Sequence, residues 1–144
     1  LITAAPAPAE VPDVLQYFVG NWSCTTTMGN QTISSTSTGS QWGQWIRFSM
    51  NTPAQNGAGA TDGTGYLGWD PQTKNWVYSE VDSDGTYFVT RSSTEKIGKS
   101  LWATVYPNNA NTQIHVNGRM SYDLDNNWTQ NGQSMSSHMA CQRQ

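Results

Sequence analysis

From Trp22 onward, apolar and polar positions alternate in short runs instead of recurring every three or four residues, a strand period rather than a helix period. The exception comes just before. Asp13-Val14-Leu15-Gln16-Tyr17-Phe18 follows Pro12, spaces its apolar residues helically and ends at Gly20, which predicts one or two helical turns. Strand-like runs follow at Trp22 to Met28, Thr32 to Thr38, Gln44 to Met50, Gly65 to Trp69, Asn75 to Asp82, Thr86 to Ser93, Leu101 to Tyr106, Gln113 to Tyr122 and Gln133 to Arg143. Between them, Gly29-Asn30, Asp70-Pro71-Gln72-Thr73 and Asp82-Ser83-Asp84-Gly85 supply turn chemistry. Asn51 to Gly63, rich in Gly, Ala and Asn, predicts a long structureless loop: a lid, a binding loop or a tip. Asp123-Leu124-Asp125-Asn126 also reads as a turn. It and the Asp82 turn resemble calcium loops, but a helix-loop-helix calcium loop begun at Asp82 needs Glu where Ser93 stands, so no metal is expected.

Two cysteines lie near opposite ends, and neither they nor the isolated His115 and His138 have metal-ligand spacing. A Cys24–Cys141 disulfide is the economical reading; two buried free thiols are the alternative. If the cysteines face each other across an antiparallel pair, Trp22 falls opposite Arg143, Thr26 opposite Met139 and Met28 opposite Ser137. The first and last strands are then neighbours, and the guanidinium of Arg143 stacks beside the Trp22 indole. The fold predicted is all-β: a closed antiparallel meander barrel of 8–10 strands with a short N-terminal helix.

A chain of 144 residues has room for one core. Residues 1–12 read as a flexible Ala/Pro-rich segment and 13–144 as a single barrel domain. The start at Leu1, with its small, proline-broken residues, resembles the spacer left by a cleaved signal peptide, so a secreted or periplasmic location is expected. A net charge of −3, with 7 basic residues scattered singly, gives no footprint for nucleic acid. No apolar run approaches membrane-spanning length, so membrane insertion is not expected.

Gly20-Asn21-Trp22 on the first strand, preceded by a short helix and answered by an Arg on the last, resembles the calycin superfamily of lipocalin-like barrels. Tyr66-Leu67-Gly68-Trp69-Asp70-Pro71, followed by Trp76 and Asp82, is similar to a calycin-like domain of unknown function in exported bacterial proteins. The resemblance covers most of the chain after Val11. It implies a cavity for a small ligand inside the barrel, without implying which ligand or any activity.

Alternation assigns inward faces. Trp42, Ile46, Phe48 and Met50 share one parity; Ile114, Val116, Met120 and Tyr122 share another, provided Gly43 and Gly118 introduce no irregularity. On the last strand Met135, Met139 and Cys141 share a face, which sends His138 outward and counts against haem ligation by that residue. A two-residue loop at Asp84-Gly85 would oppose Tyr78 to Arg91, Glu80 to Val89 and Asp82 to Tyr87. Either the Val77, Val81 and Phe88 face is buried, or Trp76, Tyr78, Glu80, Tyr87, Val89 and Arg91 face the lumen.

The expected function is binding of a small apolar or aromatic molecule by Trp42, Phe48, Met50, Trp76, Tyr87, Met120, Tyr122, Met135 and Met139, with no cofactor. Against it stands a barrel packed shut by the same side chains. The alternative is a cofactor-independent isomerase, cyclase or lyase, with Glu80 as acid or base, Tyr78 as proton donor and Arg91 stabilising developing negative charge. Its bland counterpart is a Glu80–Arg91 pair bracing a hairpin. No nucleophile elbow or phosphate loop supports hydrolysis or phosphoryl transfer. Haem binding is disfavoured further, because the run Gly20-Asn21-Trp22-Ser23-Cys24-Thr25-Thr26 lacks the later glycines of the haem-binding calycin branch. Sugar binding would need Trp45, Trp76 and Trp102 on one outer platform.

Overall fold

A computed structural model describes residues 13–92, 101–106 and 110–144; the 1–12 segment lies outside the described residues. A short helix, α1 (Asp13–Gln16), precedes ten strands: β1 (Gly20–Met28), β2 (Gln31–Trp42), β3 (Trp45–Thr52), β4 (Thr61–Asp70), β5 (Asn75–Asp82), β6 (Tyr87–Ser92), β7 (Leu101–Tyr106), β8 (Ala110–Asn117), β9 (Ser121–Gln130) and β10 (Gln133–Arg143). Each strand pairs antiparallel with its neighbour in sequence, and β1 pairs with β10, so the meander closes into a barrel.

Closure has the register expected from the cysteines. Trp22 opposes Arg143, Cys24 opposes Cys141 and Thr26 opposes Met139. The Cys24–Cys141 disulfide joins the two strands. Arg143 lies over the Trp22 ring, 4.4 Å from its centroid. One end of the barrel is shut by α1 and the turn after it: Leu15, Phe18, Trp22, Ile46 and Tyr122 form a continuous buried cluster. The Trp22 indole N–H donates to the Phe18 carbonyl, and the Tyr17 hydroxyl donates to the Ser121 carbonyl.

β9 was hidden in the sequence. The apparent strand from Gln113 to Tyr122 is interrupted by a turn at residues 118–120, and the Asp/Asn-rich stretch expected to be a turn is mid-strand. Those polar residues have poor strand propensity but find partners on both sides. Asn126 accepts from the Thr112 hydroxyl and donates to Ser137, while Asp123 accepts from Asn117. Asp125 lies between His115 (3.3 Å) and His138 (2.7 Å).

The long loop is also shorter and better tied than expected. β3 runs to Thr52 and β4 starts at Thr61. Between them Gln55 behaves like an added strand residue: its side chain accepts from the Ser34 N–H and donates to the Ser34 carbonyl, both at 2.8 Å.

Candidate functional site

The barrel encloses a cavity of about 420 Å³. Two features of the sequence keep it open. Ten strands give a wider barrel than eight. In addition, the wall from β1, β2 and β4 carries small inward residues, among them Thr26, Ser35, Ser37 and Gly63. The opposite wall is aromatic: Tyr78 lies between Phe48 and Phe88, with ring centroids 5.9 and 5.8 Å away. Gly65 is required here, because a Cβ at that position would collide with the Tyr78 ring leaning across its backbone.

The β5–β6 hairpin settles which residues reach the lumen. Its loop has three residues, not two: the Asp82 N–H donates to the Thr86 carbonyl at 2.8 Å, and Gly85 takes φ +92°. That shifts the pairing by one residue, so Tyr78 opposes Thr90 and Glu80 opposes Phe88. A one-residue slip sends every β6 side chain to the other face. Tyr78, Glu80, Phe88 and Thr90 therefore line the cavity, while Tyr87 and Arg91 point outside. The expected Glu80–Arg91 pairing is corrected accordingly. Arg91 binds Asp70 at 2.9 Å and Thr73 at 2.9 Å, bracing the Asp70-Pro71-Gln72-Thr73 turn.

The other expected ligand-contacting residues divide in the same way. Phe48, Met50, Tyr122 and Met139 line the cavity. Trp76 is buried at the closed end, edge-on to Trp69, outside the cavity lining. Met135 is half-buried opposite Trp128 and does not line it either. Trp42 is 59% exposed and meets the Tyr66 ring at a tilted angle, because the hairpin turns after it and leaves it on the outer face of β2. Met120 is 57% exposed in the β8–β9 turn, where strand parity no longer applies. Trp76 and Trp102 are buried, so the outer tryptophan platform does not form. His138 is outside, paired with Asp125, which raises its pKa through the hydrogen bond.

The chemistry of the lumen centres on a row of side chains along β5. The Tyr78 hydroxyl donates to Glu80 Oε2 and lies 3.6 Å from the Met50 sulfur. Burial pushes the Glu80 carboxyl up to about 7, against the lowering effect of the Tyr78 bond, and the neighbouring Asp82 raises it further. The Asp82 carboxyl is itself raised, chiefly by burial. Burial likewise holds Tyr78 and Tyr122 neutral. Glu80 and Asp82, two residues apart on the same face of β5, are thus neighbouring carboxyls that each disfavour charge.

Two lumen residues that the alternation reading left out are Thr90 and Trp102. Both line the cavity, both are more than nine-tenths buried, and among the described residues Thr90 Oγ1 and Trp102 Nε1 have no hydrogen-bond partner. Trp102 sits in the uninterrupted apolar run Leu101-Trp102-Ala103, which gives no period to read a face from. With a two-residue hairpin loop Thr90 would share the face of Val77, opposite Tyr78; the three-residue loop brings it beside Tyr78 instead.

The fold has a solved counterpart. A redesigned β-barrel superposes with a TM-score of 0.52 at 13% identity, covering 94% of this chain and 99% of the other. At that identity the likeness establishes the barrel architecture alone. No family model matches the chain, and no curated protein matches it. No described helix is long and apolar enough to cross a membrane, and among the described residues no cluster of His, Cys, Asp and Glu could hold a metal ion.

Proposed function

We propose that the barrel binds a small, largely apolar molecule in its lumen. The observation that carries this reading is the cavity of about 420 Å³, of the size small-ligand pockets have, where aromatic and aliphatic side chains such as Phe48, Tyr78, Phe88 and Trp102 face a wall of small Ser and Thr residues. The calycin-like features support it: a short helix closing one end, and an Arg from the last strand over the first-strand Trp. The Cys24–Cys141 bridge supports a secreted or periplasmic setting, where disulfides persist.

Titration with N-phenyl-1-naphthylamine, an uncharged apolar dye, tests the proposal. Fluorescence should saturate at one dye per chain, and Leu124→Trp, which narrows the lumen, should change the dye's affinity and emission while far-UV circular dichroism is unchanged. Affinity and emission identical in the parent and in Leu124→Trp would put the dye on the outer surface and end the reading.

A second reading, proton-transfer catalysis without a cofactor, draws on the Tyr78–Glu80 hydrogen bond and a carboxyl pushed up to about 7 inside an apolar chamber. It must proceed without Arg91, which faces away.

A further inference from the structure

The lumen has a sign. Every charged group among its described lining residues is a carboxylate: Glu80 and Asp82 within, Asp62 and Asp84 nearer the mouth. No Lys, Arg or His is among those lining residues. Asp62 and Asp84 have local donors, from the Asn51 amide at 2.8 Å and the Thr86 N–H at 2.9 Å. Among the described residues, Glu80 has the Tyr78 hydroxyl as donor and neither carboxylate meets a Lys, Arg or His in the lining; Arg91 is committed to Asp70 outside. Such a pair in an apolar cavity is costly to bury unless something positive joins it.

An independent observation shows that the lumen is not built for a plain hydrocarbon. Trp102 Nε1 and Thr90 Oγ1 are buried without partners among the described residues, and a buried donor left unpaired costs free energy that an incoming acceptor would recover. Beside the carboxylates stand the faces of Tyr78, Phe48 and Phe88, surfaces that attract cations as well as apolar groups.

Resting on the lumen-binding reading above, we propose that the ligand class is an apolar amine that also carries a hydrogen-bond acceptor: its ammonium sits at Glu80 and Asp82, its body lies on the rings, and its acceptor meets the Trp102 indole N–H. The Tyr78 hydroxyl holds the Glu80 carboxyl toward the ammonium. A carboxylate ligand of the same shape is excluded by like-charge repulsion.

The test uses the full chain with its disulfide intact and three molecules of one skeleton: 4-acetylphenethylamine, 2-(4-acetylphenyl)ethanol and 3-(4-acetylphenyl)propanoate. Calorimetry at about 0.15 M salt screens attraction by the protein's overall negative charge. The amine should bind at least about tenfold tighter than the alcohol, with the carboxylate weakest. In Glu80→Gln/Asp82→Asn the amine should fall to the level of the alcohol, with unchanged far-UV circular dichroism and a cooperative unfolding transition as the check on folding. An amine no tighter than the alcohol, while the dye still binds, overturns the amine assignment and leaves the lumen reading standing. Amine preference that persists in the double variant also overturns it, by moving the attraction elsewhere. Failure of the dye together with all three compounds overturns the lumen reading itself.

Discussion

Arg143 covers the Trp22 indole at 4.4 Å while its guanidinium donates to the carbonyls of Val19 at 2.6 Å, Tyr17, and Arg119 at 3.1 Å. One side chain on the last strand thus ties down the segment that shuts the barrel and the β8–β9 turn. Arg143→Lys keeps the charge but loses the fork that reaches several acceptors. It should lower unfolding stability by about 2–4 kcal/mol, read as a shift of the urea midpoint. A midpoint equal to that of the parent protein would show that the charge alone suffices.

Reducing the disulfide tests barrel closure from the other side. The bridge closes a loop with a sequence separation of 117. In the chain-entropy treatment its loss costs up to about 4–5 kcal/mol. Cys24→Ala/Cys141→Ala should keep the barrel, because the β1–β10 ladder still pairs, but should unfold at a much lower urea concentration.

The buried Glu80 carboxyl makes stability depend on pH. In the unfolded chain it loses its proton near 4.5, whereas in the barrel it holds the proton up to about 7. Between those values the folded state binds more protons, so stability falls as pH rises, by on the order of 3 kcal/mol across the window. Glu80→Gln removes this loss and can still accept from Tyr78. The variant should therefore gain on the parent protein from pH 4.5 to about 7, with no further change in the difference above that. Urea midpoints measured across this range give the comparison; a difference independent of pH would show that Glu80 titrates normally.

Thr90→Val replaces an unpartnered hydroxyl by a methyl of similar shape while keeping the β-branch that suits a strand. The ligand-free protein should become more stable by about 1 kcal/mol, measured by thermal or urea unfolding. A loss of stability would reveal a partner for Oγ1, such as an ordered water.

Gln55→Ala removes the side-chain bonds that hold the β3–β4 loop to Ser34. Global stability should fall by no more than about 1–2 kcal/mol, since the bonds are exposed. Amide exchange at Ser34 and at residues 53–60 should accelerate selectively, and hydrogen-exchange mass spectrometry would show it.

The β architecture and the helix before the first strand are legible in the alternation of side chains, and barrel closure follows once Cys24 and Cys141 are paired, because the pairing sets one register. Glu80 and Tyr78 are likewise legible as neighbours on one strand face. Which groups from other strands meet them depends on how the strands come together in three dimensions. A single extra loop residue at Gly85 exchanged Arg91 for Thr90 and Phe88. The turns after Trp42 and before Ser121 moved Trp42 and Met120 outside, and the cross-strand partners of Asp123 and Asn126 made a strand of a stretch whose composition signals a turn. Strand period is two, so an error of one residue in a turn inverts every side chain beyond it; turn geometry depends on backbone torsions that residue type alone does not set.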